Sequence, residues 1–175
     1  MQSSISKKQN LKILHVGCGS DPLPEWLSVY NETRLDINEA VSPNIVASMF
    51  NMGDIGKYDV VLCQHALEHV YEHEVGLALR EFLRVLNDGG HALIFVPDLE
   101  GVMPTSDILL ESPAGPITGR DMIYGYGKAI AGNPHMAHKT GFIKSTMEEV
   151  MSEAGFSKFK AERLGNYNLM GVGVK

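Results

Sequence analysis

The sequence predicts an α/β domain built on a mostly parallel sheet, and three observations carry that prediction. The apolar run that starts at Leu11 stops in a Gly-x-Gly turn at Gly17–Gly19, short strand-like runs recur through the N-terminal half, and an amphipathic segment precedes the last of them. Strands buried on both faces read as near-continuous apolar stretches, as LKILHV and DVVLC do. Such strands alternating with loops or helices are the pattern of a parallel sheet.

Strands are expected near 11–16, 33–36, 44–47, 58–63 and 91–96. Pro22 and Pro24 stand between the first two; proline removes a backbone donor and clashes with the preceding turn. Only a shortened first helix is therefore expected between Ser20 and Arg34, with Trp26 and Leu27 packing in its place. The clearest helix runs from Glu72 to Leu86, where Val75, Leu79, Phe82, Leu83 and Leu86 fall at helical spacing and Asp88, Gly89 and Gly90 end it. The Gly- and Pro-rich stretch 97–140 is too long for a simple connection and reads as an irregular substrate lid. A last helix near Lys144–Ala154 precedes FKAERL and NLMGVGVK, two strands joined by a turn at Gly165 and Asn166.

The 175 residues suit one domain, 11–175, after a polar stretch, 1–10, that reads as a disordered tail and not as a signal peptide. The apolar share is 44% and the charged share 21%, with no apolar run long enough to cross a membrane, so a cytoplasmic location is the default. A net charge of −6 disfavours broad contact with nucleic acid, which calls for a basic stripe. Cys18 and Cys63 are expected to be small packing residues near the strand ends, unpaired.

Glycines at 17 and 19 let backbone approach a ligand and adopt positive φ. Asp36, seventeen positions after Gly19, can accept hydrogen bonds from both hydroxyls of a ribose. A dinucleotide fingerprint would put its third glycine at position 22, where Pro22 stands. A pyrophosphate is seated on a regular helix that the prolines disfavour, so a nucleoside ligand without phosphates fits better and a nicotinamide-dependent oxidoreductase is set aside.

The segments HVGCGS, LDIN, YDVVLCQHALEHV and GGHALIFVPD resemble the class I S-adenosylmethionine-dependent methyltransferases, and with the tail the resemblance covers most of the chain from Leu11 to Lys175. It implies a Rossmann-like seven-stranded sheet with an antiparallel C-terminal strand, helices on both faces, and S-adenosyl-L-methionine as cofactor. By resemblance, Gly17, Cys18 and Gly19 wrap the methionine portion, Asp36 with Ile37 beside it meets the ribose, Ser48 and Met49 flank the adenine, and Gln64 and His65 face the cofactor. Many relatives carry an Asp where this chain has Ser48, which implies weaker cofactor binding or a backbone contact near Met49 or Phe50.

A sulfonium is a good leaving group, so placing the two reactants does most of the catalysis. A base is needed only for an acceptor that keeps its proton at neutral pH, and histidine suits that role. HMAHKTGF offers His138 as first choice and His135 as second, with Lys139 beside them and Tyr124 and Tyr126 upstream. The rival role for these residues is to pin the lid by hydrogen bonds. His65, Glu68 and His69 match the H-x-x-E-H pattern of inverted zinc peptidases. That pattern follows directly on a strand and lacks an assignable acidic ligand, so no metal is assigned; the residues are read as the start of the helix after the fourth strand, with His69 structural or catalytic.

The expected function is methyl transfer from S-adenosyl-L-methionine to a small-molecule or saccharide-type acceptor. No nucleic acid or membrane partner is expected, and a homodimer could complete the pocket. The alternative is a non-catalytic S-adenosylmethionine-binding domain that regulates a partner.

Overall fold

Strand β1 (Lys12–Val16) is an inner strand of a sheet that grows outward from it in both directions: β2 (Asn31–Asp36) and β3 (Ile45–Val46) on one side, β4 (Tyr58–Gln64) and β5 (Leu86–Pro97) on the other. These five run parallel. The C-terminal pair, β8 (Lys158–Leu164) and β9 (Asn168–Val174), completes the order β3-β2-β1-β4-β5-β9-β8, with β9 antiparallel to both neighbours. The architecture is the expected Rossmann-like, mostly parallel seven-stranded sheet. This computed structural model describes residues 10–175, so the expected tail lies outside the described residues except for Asn10.

Helices α1 (Glu72–Val85) and α4 (Lys144–Ala154) share one face of the sheet. Val75, Leu79, Phe82, Met147 and Met151 join Leu14, Val16, Val61, Ile94 and Leu169 in one core there. Gly171 and Gly173 let β9 lie against α4: a Cβ at 173 would stand 2.5 Å from Phe156 and 2.7 Å from Met151. Helices on both faces are expected; among the described residues, the second face carries the 3-10 turn Glu25–Leu27 where the first helix would lie. Leu27 is buried there with Ile13, Val60 and Leu62. Trp26 does not pack where the helix would lie; it is 61% exposed, because a turn this short turns one apolar side chain inward.

Three expectations are corrected. Helix α1 stops at Val85, and the Asp88-Gly89-Gly90 run lies within β5 instead of capping the helix. Leu86 is already extended and pairs with Tyr58, and the register shift between Tyr58 and Val60 absorbs the extra residues. Gly90 is required because a Cβ would meet the Asp59 carbonyl oxygen at 3.0 Å. Second, HALEH does not begin a helix. His65 turns off β4 at φ 47°, Leu67–His69 form one 3-10 turn, and α1 starts after Tyr71, whose N–H donates to Glu74 at 2.9 Å.

Third, the stretch 97–140 is not irregular. It carries the antiparallel hairpin β6 (Ile108–Ser112) and β7 (Gly115–Thr118), then α2 (Gly119–Tyr124) and α3 (Gly127–Gly132). Thr118 and Asp121 cap α2 reciprocally, which holds the Asp121 carboxyl below its usual range. The excursion leaves and returns at one place, where the Leu99 N–H donates to the Phe142 carbonyl at 2.9 Å. Beside it the buried Asp98 accepts from Arg163 Nε at 2.5 Å.

Candidate active site

The C-terminal ends of β1, β2 and β4 converge where the strand order reverses, the usual ligand position in open α/β sheets. Gly17 and Gly19 both take positive φ, 64° and 49°. A Cβ on Gly17 would lie 2.4 Å from Cβ of Ala66, so the loop after β1 rests on the loop after β4. The Gly17 and Cys18 amides donate to the Leu35 carbonyl at 2.8 and 3.3 Å. Arg34 holds the loop from below, donating to the carbonyls of Gly19 and Asp21 at 2.7 Å each.

Asp36 is fixed by the same loop. Its carboxylate accepts from the Gly19 amide and from the Asn38 amide, each at 2.8 Å. The side chain stays partly exposed, and each oxygen keeps a lone pair for a hydroxyl. Ile37 beside it is 73% exposed. The Ser48 hydroxyl accepts from the Phe50 amide at 3.3 Å and so closes its own turn. Met49 reaches the glycine loop, its methyl 4.0 Å from a Cβ on Gly17. Cys18 and Cys63 are buried and free, and burial pushes both thiols up. Gln64 ends β4, half-buried, and the exposed His65 follows it.

The second half of the site joins residues far apart in sequence. Glu68 is buried on the 3-10 turn, and its carbonyl accepts from the Lys139 and Thr140 amides at 2.8 and 3.2 Å. His138 is thereby brought beside His69, the two rings edge-on with centroids 5.1 Å apart. His69 Nδ1 lies 3.2 Å from the Ala137 carbonyl and His138 Nδ1 lies 3.0 Å from that of Met122. Burial pushes the His138 imidazole below its usual range, the Glu68 charge only partly opposing this, so the ring is neutral at neutral pH. Burial also works against charge on His65, yet the hydrogen bond and charge of Glu68, with Asn168, raise it.

The other candidates from the 97–140 stretch stay apart. His135 is exposed on the 3-10 turn Pro134–Met136, Tyr124 is 59% exposed, and the Tyr126 hydroxyl donates to the Ala114 carbonyl at 3.0 Å. Lys139 places its ammonium 4.9 Å from the centre of the Tyr71 ring. The pairing of Glu68 and His69 with His138 escapes sequence reasoning, since only the folded lid brings 69 and 138 together.

Residues 14–94 match the family model described as Methyltransferase domain. Fold and match agree: residues 14–94 carry the pattern of a methyltransferase domain, and the seven-stranded sheet is the fold of solved S-adenosylmethionine-dependent methyltransferases. Among similar solved structures, an S-adenosylmethionine-dependent methyltransferase from Mesorhizobium loti has a TM-score of 0.66 at 15% identity, covering 98% of this chain and 94% of that one. Streptomyces venezuelae DesVI has a TM-score of 0.67 at 14% identity, covering 95% and 84%. The S-adenosylmethionine-dependent methyltransferase SibL has 0.63 at 18%, covering 95% of this chain and 51% of its own, so the chain spans about half of that protein. No curated protein matches the sequence. Among the described residues, no helix is long and apolar enough to cross a membrane.

Proposed function

We propose that the chain transfers the methyl group of S-adenosyl-L-methionine to a small-molecule or saccharide-type acceptor. The observation that carries this reading is the contact of Gly17 with Ala66, which sets the glycine loop and the fixed Asp36 carboxylate beside the turn bearing Glu68 and His69. Gly17, Cys18 and Gly19 receive the methionine portion, Asp36 and Ile37 the ribose, Ser48 and Met49 the adenine, with Gln64 and His65 at the flank. The lid carries Asp107, Glu111, Arg120 and Lys128, a mixed set that favours a polar acceptor over one of a single charge.

The acceptor's nucleophile attacks the methyl carbon in line as the C–S bond breaks, giving the methylated product and S-adenosylhomocysteine. Holding both reactants supplies most of the rate. For a hydroxyl acceptor, the neutral His138 is the proton acceptor through Nε2, because Nδ1 is engaged with the Met122 carbonyl. One observation favours the second reading, a non-catalytic binding domain: Ser48, at the adenine position, spends its hydroxyl on its own turn.

Calorimetric titration of S-adenosylmethionine and S-adenosylhomocysteine into the wild type and Asp36→Ala tests the first step. Binding by the wild type, weakened at least about tenfold in the variant, or roughly 1.4 kcal/mol, supports the site. No binding by the wild type overturns it. Binding without turnover across a panel of sugar and small hydroxylated acceptors selects the second reading.

A further inference from the structure

We propose that Glu68, His69 and His138 form a binding site for a divalent transition-metal ion. One ligand atom from each residue lies within 4.8 Å of the other two. Ligands around a four-coordinate ion, bonded at about 2.0–2.2 Å, stand roughly 3.5 Å apart, so a small inward shift closes the shell. Two imidazoles and a carboxylate are the donor set that suits zinc and its first-row neighbours.

The hydrogen bonds point the same way. A carbonyl oxygen only accepts, so the Ala137 and Met122 carbonyls place the protons of His69 and His138 on Nδ1. Each ring then presents the Nε2 lone pair, and the carbonyls act as the outer partners that metal-binding histidines ordinarily have. Glu68 is only 2% exposed; its Oε1 faces His65 Nδ1 at 3.4 Å, while Oε2 is buried with no hydrogen-bond partner among the described residues. The three residues bring one ligand atom each into this cluster, and Glu68 carries a buried carboxylate oxygen with no partner among the described residues, a need that a cation answers.

The ligand set differs from the one the H-x-x-E-H pattern suggests. His65 and His69 do not share a helical face, and the second imidazole comes from the lid through His138, leaving His65 as the neighbour that orients Glu68. An ion here ties the lid to the loop after β4. Its use in catalysis rests on the proposed methyl transfer: the ion holds an acceptor oxygen, which loses its proton to solvent and attacks the methyl carbon as the C–S bond breaks, yielding a methyl ether and S-adenosylhomocysteine. His138 then serves as a ligand in place of its role as proton acceptor.

Zinc titrated calorimetrically into the metal-stripped full chain, without cofactor or acceptor, tests the site. One ion per chain at micromolar affinity or tighter is expected, weakened at least about tenfold in His69→Ala and His138→Ala and unchanged in His91→Ala, an exposed histidine elsewhere. Glu68→Gln gives the same loss if it folds, judged by circular dichroism; if it does not, the two histidine variants decide. Absence of stoichiometric zinc binding, or binding indifferent to His69→Ala and His138→Ala, overturns the proposal. Zinc binding that persists while S-adenosylmethionine fails to bind leaves this site standing and removes only its catalytic use; the converse removes the site and leaves the methyl transfer.

Discussion

At the scale of single residues, Gly17 and Gly19 look equivalent in sequence and differ in what surrounds them. Both need positive φ, which costs a side chain about 1 kcal/mol. A Cβ at 17 would also collide with Ala66 at 2.4 Å, whereas at 19 nothing lies within 4 Å. Gly17→Ala is therefore expected to weaken S-adenosylmethionine binding far more than Gly19→Ala, by about tenfold or more against a few-fold, measured by parallel calorimetric titrations. A comparable loss in both would show that the close approach to Ala66 is unimportant. The position of Asp36 was legible because it ends the second strand, where its carboxylate meets the glycine loop after the first. The partners of His138 were not legible, because nothing local to HMAHK records that it folds back onto a turn near the middle of the chain.

At the scale of elements, the strands of the seven-stranded sheet and α4 follow from apolar periodicity, which survives in one dimension, whereas the hairpin of β6 and β7 does not. The end of α1 does not, because Leu86 fits the helical period and is buried equally well as the first residue of β5. The start of α1 at Glu72 is as expected, while HALEH, whose charged spacing imitates a helix, forms a 3-10 turn with Glu68 buried. Helix α1 also braces the loop between β3 and β4. Glu81 accepts from the Met52 amide at 2.8 Å and pairs with Arg84, which donates to the Gly53 carbonyl at 2.8 Å. The Arg84 hydrogen bond holds the Glu81 carboxyl below its usual range against the opposing effect of burial. With the folded value depressed, the stabilisation is fully present above the unfolded value of about 4.3 and is lost as pH falls through the folded one. Glu81→Gln should cost about 1 kcal/mol at pH 7, and the gap between variant and wild type should close below about pH 4 in urea melts at stepped pH. A gap that stayed constant with pH would mean that charge on Glu81 contributes nothing.

At the scale of the whole molecule, the sheet is covered unequally. Both long helices lie on one face, and the opposite face beyond the Leu27 turn shows a shallow apolar groove of Met170, Val172 and Val174 rimmed by Lys158, Lys160 and Glu162. The native protein is expected to enhance the fluorescence of an apolar dye such as anilinonaphthalene sulfonate, and Val172→Lys to remove much of that signal without shifting the melting temperature by more than roughly 2 °C. Full dye binding by the variant would place the apolar surface elsewhere. Pro22 and Pro24 forecast the loss of the first helix; its effect on layer balance was visible only once both long helices were placed on the same side.

The Leu99–Phe142 hydrogen bond gives the long excursion between them an unusual standing. Seen from β5 and α4, everything between these residues is equivalent to a tight turn, because departure and return share one attachment point. Such a cassette can lengthen, shorten or be exchanged while the ends of β1, β2 and β4 keep their places. On the proposed reading, a lineage built on this plan changes its acceptor without touching the glycine loop or Asp36.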